Sequence, residues 1–144
     1  MIRIDTNEID KLVIDLEQIG DDVKADVQKV LKNTGFKIEA NAKANLTRNR
    51  SVKTGHLRQG VTTDVGNMEV TVHTSNIKYS VMVEKGTKAH TIRPKSKKAL
   101  YWRGAKHPVK EVNHPGSRAK PFLIPAFEKE KDNFIKEVKK VIRW

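Results

Sequence analysis

The apolar residues change period twice along this chain, and that change constrains the fold more than any other feature. Val23, Val27, Val30, Leu31, Ile38, Ala42 and Leu46 keep to one stripe at helical spacing. They predict an amphipathic helix of roughly twenty residues or more. Asp21 and Asp22 open it where the helix dipole favours acids, and Gly35 is a candidate bend. A shorter helical run, Ile9, Leu12, Val13 and Leu16, follows the capping residues Thr6 and Asn7 and stops at Gly20. After residue 60 the period becomes alternating. Val61, Thr63 and Val65 form one face of a strand, and Met68, Val70, Val72 and Thr74 form one face of the next. Gly66-Asn67 lies between them, where a tight hairpin turn requires positive φ. Helical spacing returns from Phe122 through Phe127, Phe134, Ile135, Val138, Val141 and Ile142.

The order helix, hairpin, short strands, helix predicts an α+β fold. An antiparallel β-sheet would carry the long N-terminal helix and the C-terminal helix on one face, with residues 1–144 forming one domain. Two stretches lack a period. Thr47 to Gly55 reads as an exposed basic loop, and residues from about 85 to 121 read as a long basic loop or arm with short β-like pieces such as Ala99 to Trp102. Between these stretches, Tyr79 to Glu84 suits either a short strand or one helical turn. A stretch as long as the arm without regular structure is uncommon in a compact domain unless it has a function.

Charge points to the same arm. The chain carries 29 basic and 17 acidic residues, a net +12, which attracts polyanions and acidic protein surfaces alike. Lys85, Lys88, Arg93, Lys95, Lys97, Lys98, Arg103, Lys106, Lys110, Arg118 and Lys120 face a single acid, Glu111, within the arm. Tyr101 and Trp102 are interleaved with them, as on a single-stranded nucleic-acid platform. A solvated loop whose aromatics anchor it to its own sheet would show the same pattern. No helix-turn-helix or RNA-recognition motif accompanies the charge. A docking arm is the third reading. Pro94, Pro108, Pro115, Pro121 and Pro125 would stiffen its path, and Trp102, Phe122 and Leu123 would anchor it on a partner.

Catalytic chemistry finds little support. With no cysteine there is no disulfide, thiolate nucleophile or cysteine-based zinc site, which fits synthesis in a reducing compartment. His56, His73, His90, His107 and His114 show no metalloprotease spacing, and the arm is too poor in carboxylates for a hard cation. A histidine–asparagine nuclease set of His90, His107, Asn113 and His114 is conceivable but weakly supported. Ser80, Ser96 and Ser117 lack the strand–turn–helix elbow of a serine hydrolase. Glu84, beside Lys85, is expected to form a structural ion pair. Neither a signal-peptide apolar core nor an apolar run of membrane-spanning length is seen. No catalytic residue, metal or cofactor is expected, and no membrane partner.

Four groups of residues, taken in order, resemble a known family. They are Thr54-Gly55-His56-Leu57-Arg58; Tyr79 with Val83-Glu84-Lys85-Gly86-Thr87; Ile92-Arg93-Pro94-Lys95 with Lys97-Lys98-Ala99-Leu100; and His114-Pro115-Gly116 with Ala119-Lys120-Pro121-Phe122-Leu123 and Pro125-Ala126. Together they are similar to the gene-product-ten-like tail-component family of long-tailed, lambda-like bacteriophages and their prophages. The resemblance implies a virion protein of the tail or neck, made in the bacterial host cytoplasm and not an enzyme. It would complete or terminate the tail as a ring, commonly six-fold, and join it to the DNA-filled head. Its partners would be copies of itself, the tail tube and the head-closure or connector proteins, with possible contact to packaged DNA. On this reading Lys95, Lys97, Lys98, Tyr101, Trp102, Arg103, Lys106, Arg118, Lys120 and Phe122 are the candidate assembly residues. Gly55, Gly86, Thr87, Pro94, Pro115, Gly116 and Pro121 shape the turns. The competing reading is a small basic nucleic-acid-binding protein.

Overall fold

The structure is a computed structural model and describes residues 20–51 and 53–142. The helical run at Ile9 to Leu16 lies outside those residues. The fold is α+β: a long N-terminal helix, a C-terminal helix and two small antiparallel sheets. Helix α1 (Asp21–Arg48) and helix α4 (Leu123–Ile142) run antiparallel and form the frame. Ile38, Ala42 and Leu46 of α1 meet Phe122, Leu123 and Ala126 at one end, and Val27 meets Phe134 and Val138 at the other. Asn41 Nδ2 donates to Glu130 Oε1 (2.8 Å) midway along the pair.

The hairpin β1 (Thr62–Val65) and β2 (Val70–His73) lies against α1. Its register pairs Thr63 with Val72 and Val65 with Val70, so alternate residues share the face toward the helix. Gly35 does not interrupt α1. Its role is close approach: a Cβ there would overlap Val70 Cγ1 and lie 2.9 Å from Thr63 Cγ2. The Thr63 hydroxyl donates to Glu39 Oε2 (2.6 Å) and also reaches the Gly35 carbonyl (3.3 Å).

The expected two-residue turn is instead a four-residue loop, Gly66 to Glu69, in which Gly66 N–H donates to Glu69 O (2.9 Å). Positive φ falls on Met68 (54°) rather than on Gly66 or Asn67. The Gln28 side chain holds this loop from α1: its Nε2 donates to Gly66 O (2.7 Å), and its Oε1 accepts Met68 N–H (2.7 Å). Tertiary hydrogen bonds therefore set the turn.

Two short helices complete the body. Thr47 and Arg48 finish α1 rather than starting a loop, and after Gly55 (φ +81°) helix α2 (His56–Gly60) inserts Leu57 into the core. Tyr79 to Glu84 resolves as helix, α3 (Ser80–Lys85), with Ser80 and Glu84 buried. Glu84 forms no ion pair with Lys85. Its carboxylate accepts the N–H groups of Phe122 (2.8 Å), Leu123 (3.0 Å) and Ile124 (3.0 Å). Those are the orphan donors at the start of α4, and Pro125, next in the turn, has none to satisfy. Pro125 is therefore part of α4 and not of an extended arm.

The single sheet expected from the sequence is two separate two-stranded sheets. The second, β3 (His90–Ile92) with β4 (Val112–His114), belongs to the arm.

Candidate docking arm and groove

The arm is a folded-back ribbon rather than an unstructured loop. Its legs are tied at the root by two backbone bonds, Thr87 N–H to Ser117 O (2.9 Å) and Ser117 N–H to Thr87 O (3.0 Å). The Thr87 and Ser117 hydroxyls lie 3.0 Å apart beside them. Both glycines of the root have left-handed φ, +73° at Gly86 and +86° at Gly116. Each faces the opposite leg at backbone distance: a Cβ on Gly86 would lie 2.6 Å from Ser117 O, and one on Gly116 would overlap Thr87 O. Only glycine combines that φ with that approach. Pro121 follows the root, and its carbonyl accepts from Asn49 Nδ2 (2.8 Å), while Lys120 N–H donates to Val83 O (2.8 Å). The root is thus fastened to both α1 and α3.

Beyond the root, His90 pairs with His114, Thr91 with Asn113 and Ile92 with Val112. The next pairing is Leu100 with Val109. Residues 93–99 on the outgoing leg therefore oppose only Lys110 and Glu111 on the return. This unequal bulge carries Pro94 and the exposed Lys95, Lys97 and Lys98. Arg93 Nε meets Glu111 Oε2 (3.0 Å), which uses the one acid of the arm at its surface. The tip turns at Gly104, with Ala105 N–H donating to Trp102 O (2.9 Å). Tyr101 is 69% exposed and Trp102 50%, so neither aromatic is buried against the described body. Arg103 and Lys106 are exposed beside them. Pro115 is exposed on the return leg.

Two expected docking anchors are not available. Phe122 is fully buried against α1, its carbonyl accepting from Asn45 Nδ2 (2.9 Å), and Leu123 is buried next to it. Both are core residues of this chain; their apolar character was read as a docking feature because the helix that covers them is some eighty residues away in sequence. The histidine–asparagine set is only partly assembled. His90 and His114 rings stack at 5.1 Å, but His90 Nδ1 is bound at Lys88 O (2.9 Å) and His114 Nδ1 accepts Gly116 N–H (3.0 Å). No three histidine, aspartate or glutamate side chains converge as a metal site among the described residues.

Arg118 and Lys120 separate from the other arm cations and line a groove beside the root, with Arg50, Lys53, Tyr79 and Met82. Its volume is about 560 Å³, and it runs into a smaller hollow of about 250 Å³ in front of Gly55 and α2, where Arg58 adds a further cation. Among the described residues, no acidic one lines either part. Tyr79 (43% exposed) and Met82 (55% exposed) supply an apolar floor. His56 Nδ1 lies 3.3 Å from the Tyr79 hydroxyl and fixes that ring at the junction. Sequence reasoning missed this groove because three segments build it: the end of α1, helix α3 and the returning leg of the arm. The basic loop at Thr47 to Gly55 and the segment from Tyr79 to Glu84 were its visible parts.

A family model, Bacteriophage HK97-gp10, putative tail-component, matches residues 10–103. The chain belongs to this tail-component family. The match takes in the Thr54-Gly55 segment, helix α3 and the outgoing leg of the arm. No curated protein and no solved structure matches the chain. Membership makes this a phage structural protein of the tail, and no described helix is long and apolar enough to cross a membrane.

Proposed function

We propose that this tail component works at the phage neck, where it forms a ring that completes the tail and joins it to the DNA-filled head without catalysing a reaction. The observation that carries the reading is the arm. A root fastened to both α1 and α3 presents a basic ribbon whose aromatic tip is exposed among the described residues. A ring needs contacts that are head-to-tail and close on rotation, and a projecting ribbon supplies one half of such a contact. Residues 1–144 act as one domain, the copy number is six as in related rings, and the neighbours are the tail tube and the head-closure proteins. The subunit is made in the host cytoplasm and ends in the virion.

The test is electron microscopy of lysates from a phage or prophage lacking this gene. Full heads and free tails lying apart support a joining role, and tails of abnormal length support termination. Ordinary infectious particles overturn the proposal. Exposed Tyr101 and Trp102 beside Arg103 favour a second reading, a nucleic-acid-binding protein that stacks bases on the arm tip. Titration with single-stranded DNA across a salt series tests it: a Tyr101→Ala/Trp102→Ala variant that binds as the parent does removes that reading.

A further inference from the structure

The groove has a complement within the same sequence. Residues 1–19 contain Asp5, Glu8, Asp10, Asp15 and Glu17 against Arg3 and Lys11, a net charge of −3, and Asp21 and Asp22 follow in the first turn of α1. The arm from Lys85 to Lys120 carries +10, so the two extremes of charge lie in separate segments of one chain. The acidic segment also holds Ile9, Leu12, Val13 and Leu16 at helical spacing, which offers an apolar stripe between acids. The groove offers the converse, Tyr79 and Met82 on its floor with Arg50, Lys53, Arg118 and Lys120 around them. An amphipathic segment laid in an apolar groove with a rim of opposite charge is a recurrent mode of recognition.

Position decides whose segment it is. Helix α1 begins at Asp21, where the acidic segment ends, and finishes at Arg48, two residues before Arg50 of the groove. Its 28 residues at 1.5 Å each separate the two by about 42 Å. Asp21 and Asp22 in the first turn of α1 and Arg50 just past its end put opposite charges at opposite poles of one helix, which suits a head-to-tail contact between copies.

We propose that the acidic segment 1–19 of one copy docks in the basic groove of the next. The inference rests on the ring reading and names its contact. Two like-oriented copies then present unused complementary ends, so the contact propagates until the ring closes.

The test uses the full-length chain, mixed as light and heavy nitrogen-labelled copies and treated with a carbodiimide that joins carboxylates to amines at zero length. The expected products link Asp15 or Glu17 of one isotope to Lys53 or Lys120 of the other. Self-association, read by sedimentation, should weaken on the order of tenfold for each reversed charge in Lys53→Glu/Arg118→Glu. Pairing that variant with Asp15→Lys/Glu17→Lys in one chain should restore it. Links confined to one isotope, association unchanged by the reversal, or a chain that stays monomeric at its highest soluble concentration would each overturn the proposal. Failure of the ring reading is distinguishable, because it is read from particles lacking the gene: separated heads and tails together with unchanged association sink only the contact proposed here.

Discussion

Replacing Glu84 tests the central claim about how the arm is fixed to the body. The side chain is 3% exposed, and its two oxygens accept three N–H groups at 2.8 to 3.0 Å from the start of α4. Glu84→Ala removes all three acceptors and leaves those donors without a partner. Hydrogen bonds to a charged group contribute about 1.5–3 kcal/mol each, though losses within one network do not add fully. Relief of the buried carboxylate's desolvation offsets part of the loss. The expected net destabilisation is about 3 kcal/mol for Glu84→Ala and about 2 kcal/mol for Glu84→Gln, whose amide oxygen still accepts while its NH₂ opposes a donor. For a chain of this size 3 kcal/mol corresponds to a fall in Tm of roughly 6–12 °C. Urea unfolding followed by far-ultraviolet circular dichroism, at unchanged m-value, is the assay. Lys85→Ala is the control and should stay within about 0.5 kcal/mol, since Lys85 is exposed. A Glu84→Ala loss below about 1 kcal/mol, or a Lys85→Ala loss as large, would refute the capping argument in favour of an ordinary ion pair.

Gly35→Ala should destabilise by about 1–3 kcal/mol although alanine is the better helix former, because its methyl would overlap Val70; a stabilised variant in the same urea assay would show that the hairpin yields freely. At Glu39, burial pushes the carboxyl up, but the Lys43 ammonium at 2.6 Å and the Thr63 hydroxyl outweigh it and hold it below the ordinary 4.5. A lowered folded value means stability that is present above pH 4.5 and lost as pH falls through the folded value, so Glu39→Gln should flatten the acid limb of the stability–pH curve; parallel limbs would refute this. Lys95→Glu/Lys97→Glu/Lys98→Glu should leave unfolding stability within about 0.5 kcal/mol per site, since all three are exposed on the bulge, while reducing the salt slope of DNA adhesion; an unaltered slope would place the polyanion contact elsewhere.

Periodicity is a local property, and what followed from it was legible. The apolar stripe from Val23 to Leu46 specified α1, the spacing from Phe127 to Ile142 specified α4, and the alternation from Val61 to Val72 specified both strands and their shared face. The charge run also located the arm, since cations without acids have no reason to be buried. Pairings between distant segments left no such trace. Glu84 reads as a neighbour of Lys85 until α4 arrives with its open N–H groups, and Phe122 reads as a docking anchor until α1 covers it. The arm lacks a period because its ribbon is bulged and both faces meet water, so nothing selects alternate apolar residues. Its root depends on two glycines whose need is set by the carbonyls across from them. The sequence by itself determined which segments are helix and hairpin and where the charge lies, because burial on one face imposes a repeat. Only the tertiary structure decided the cap, the ribbon and the groove, because each joins residues that no repeat connects.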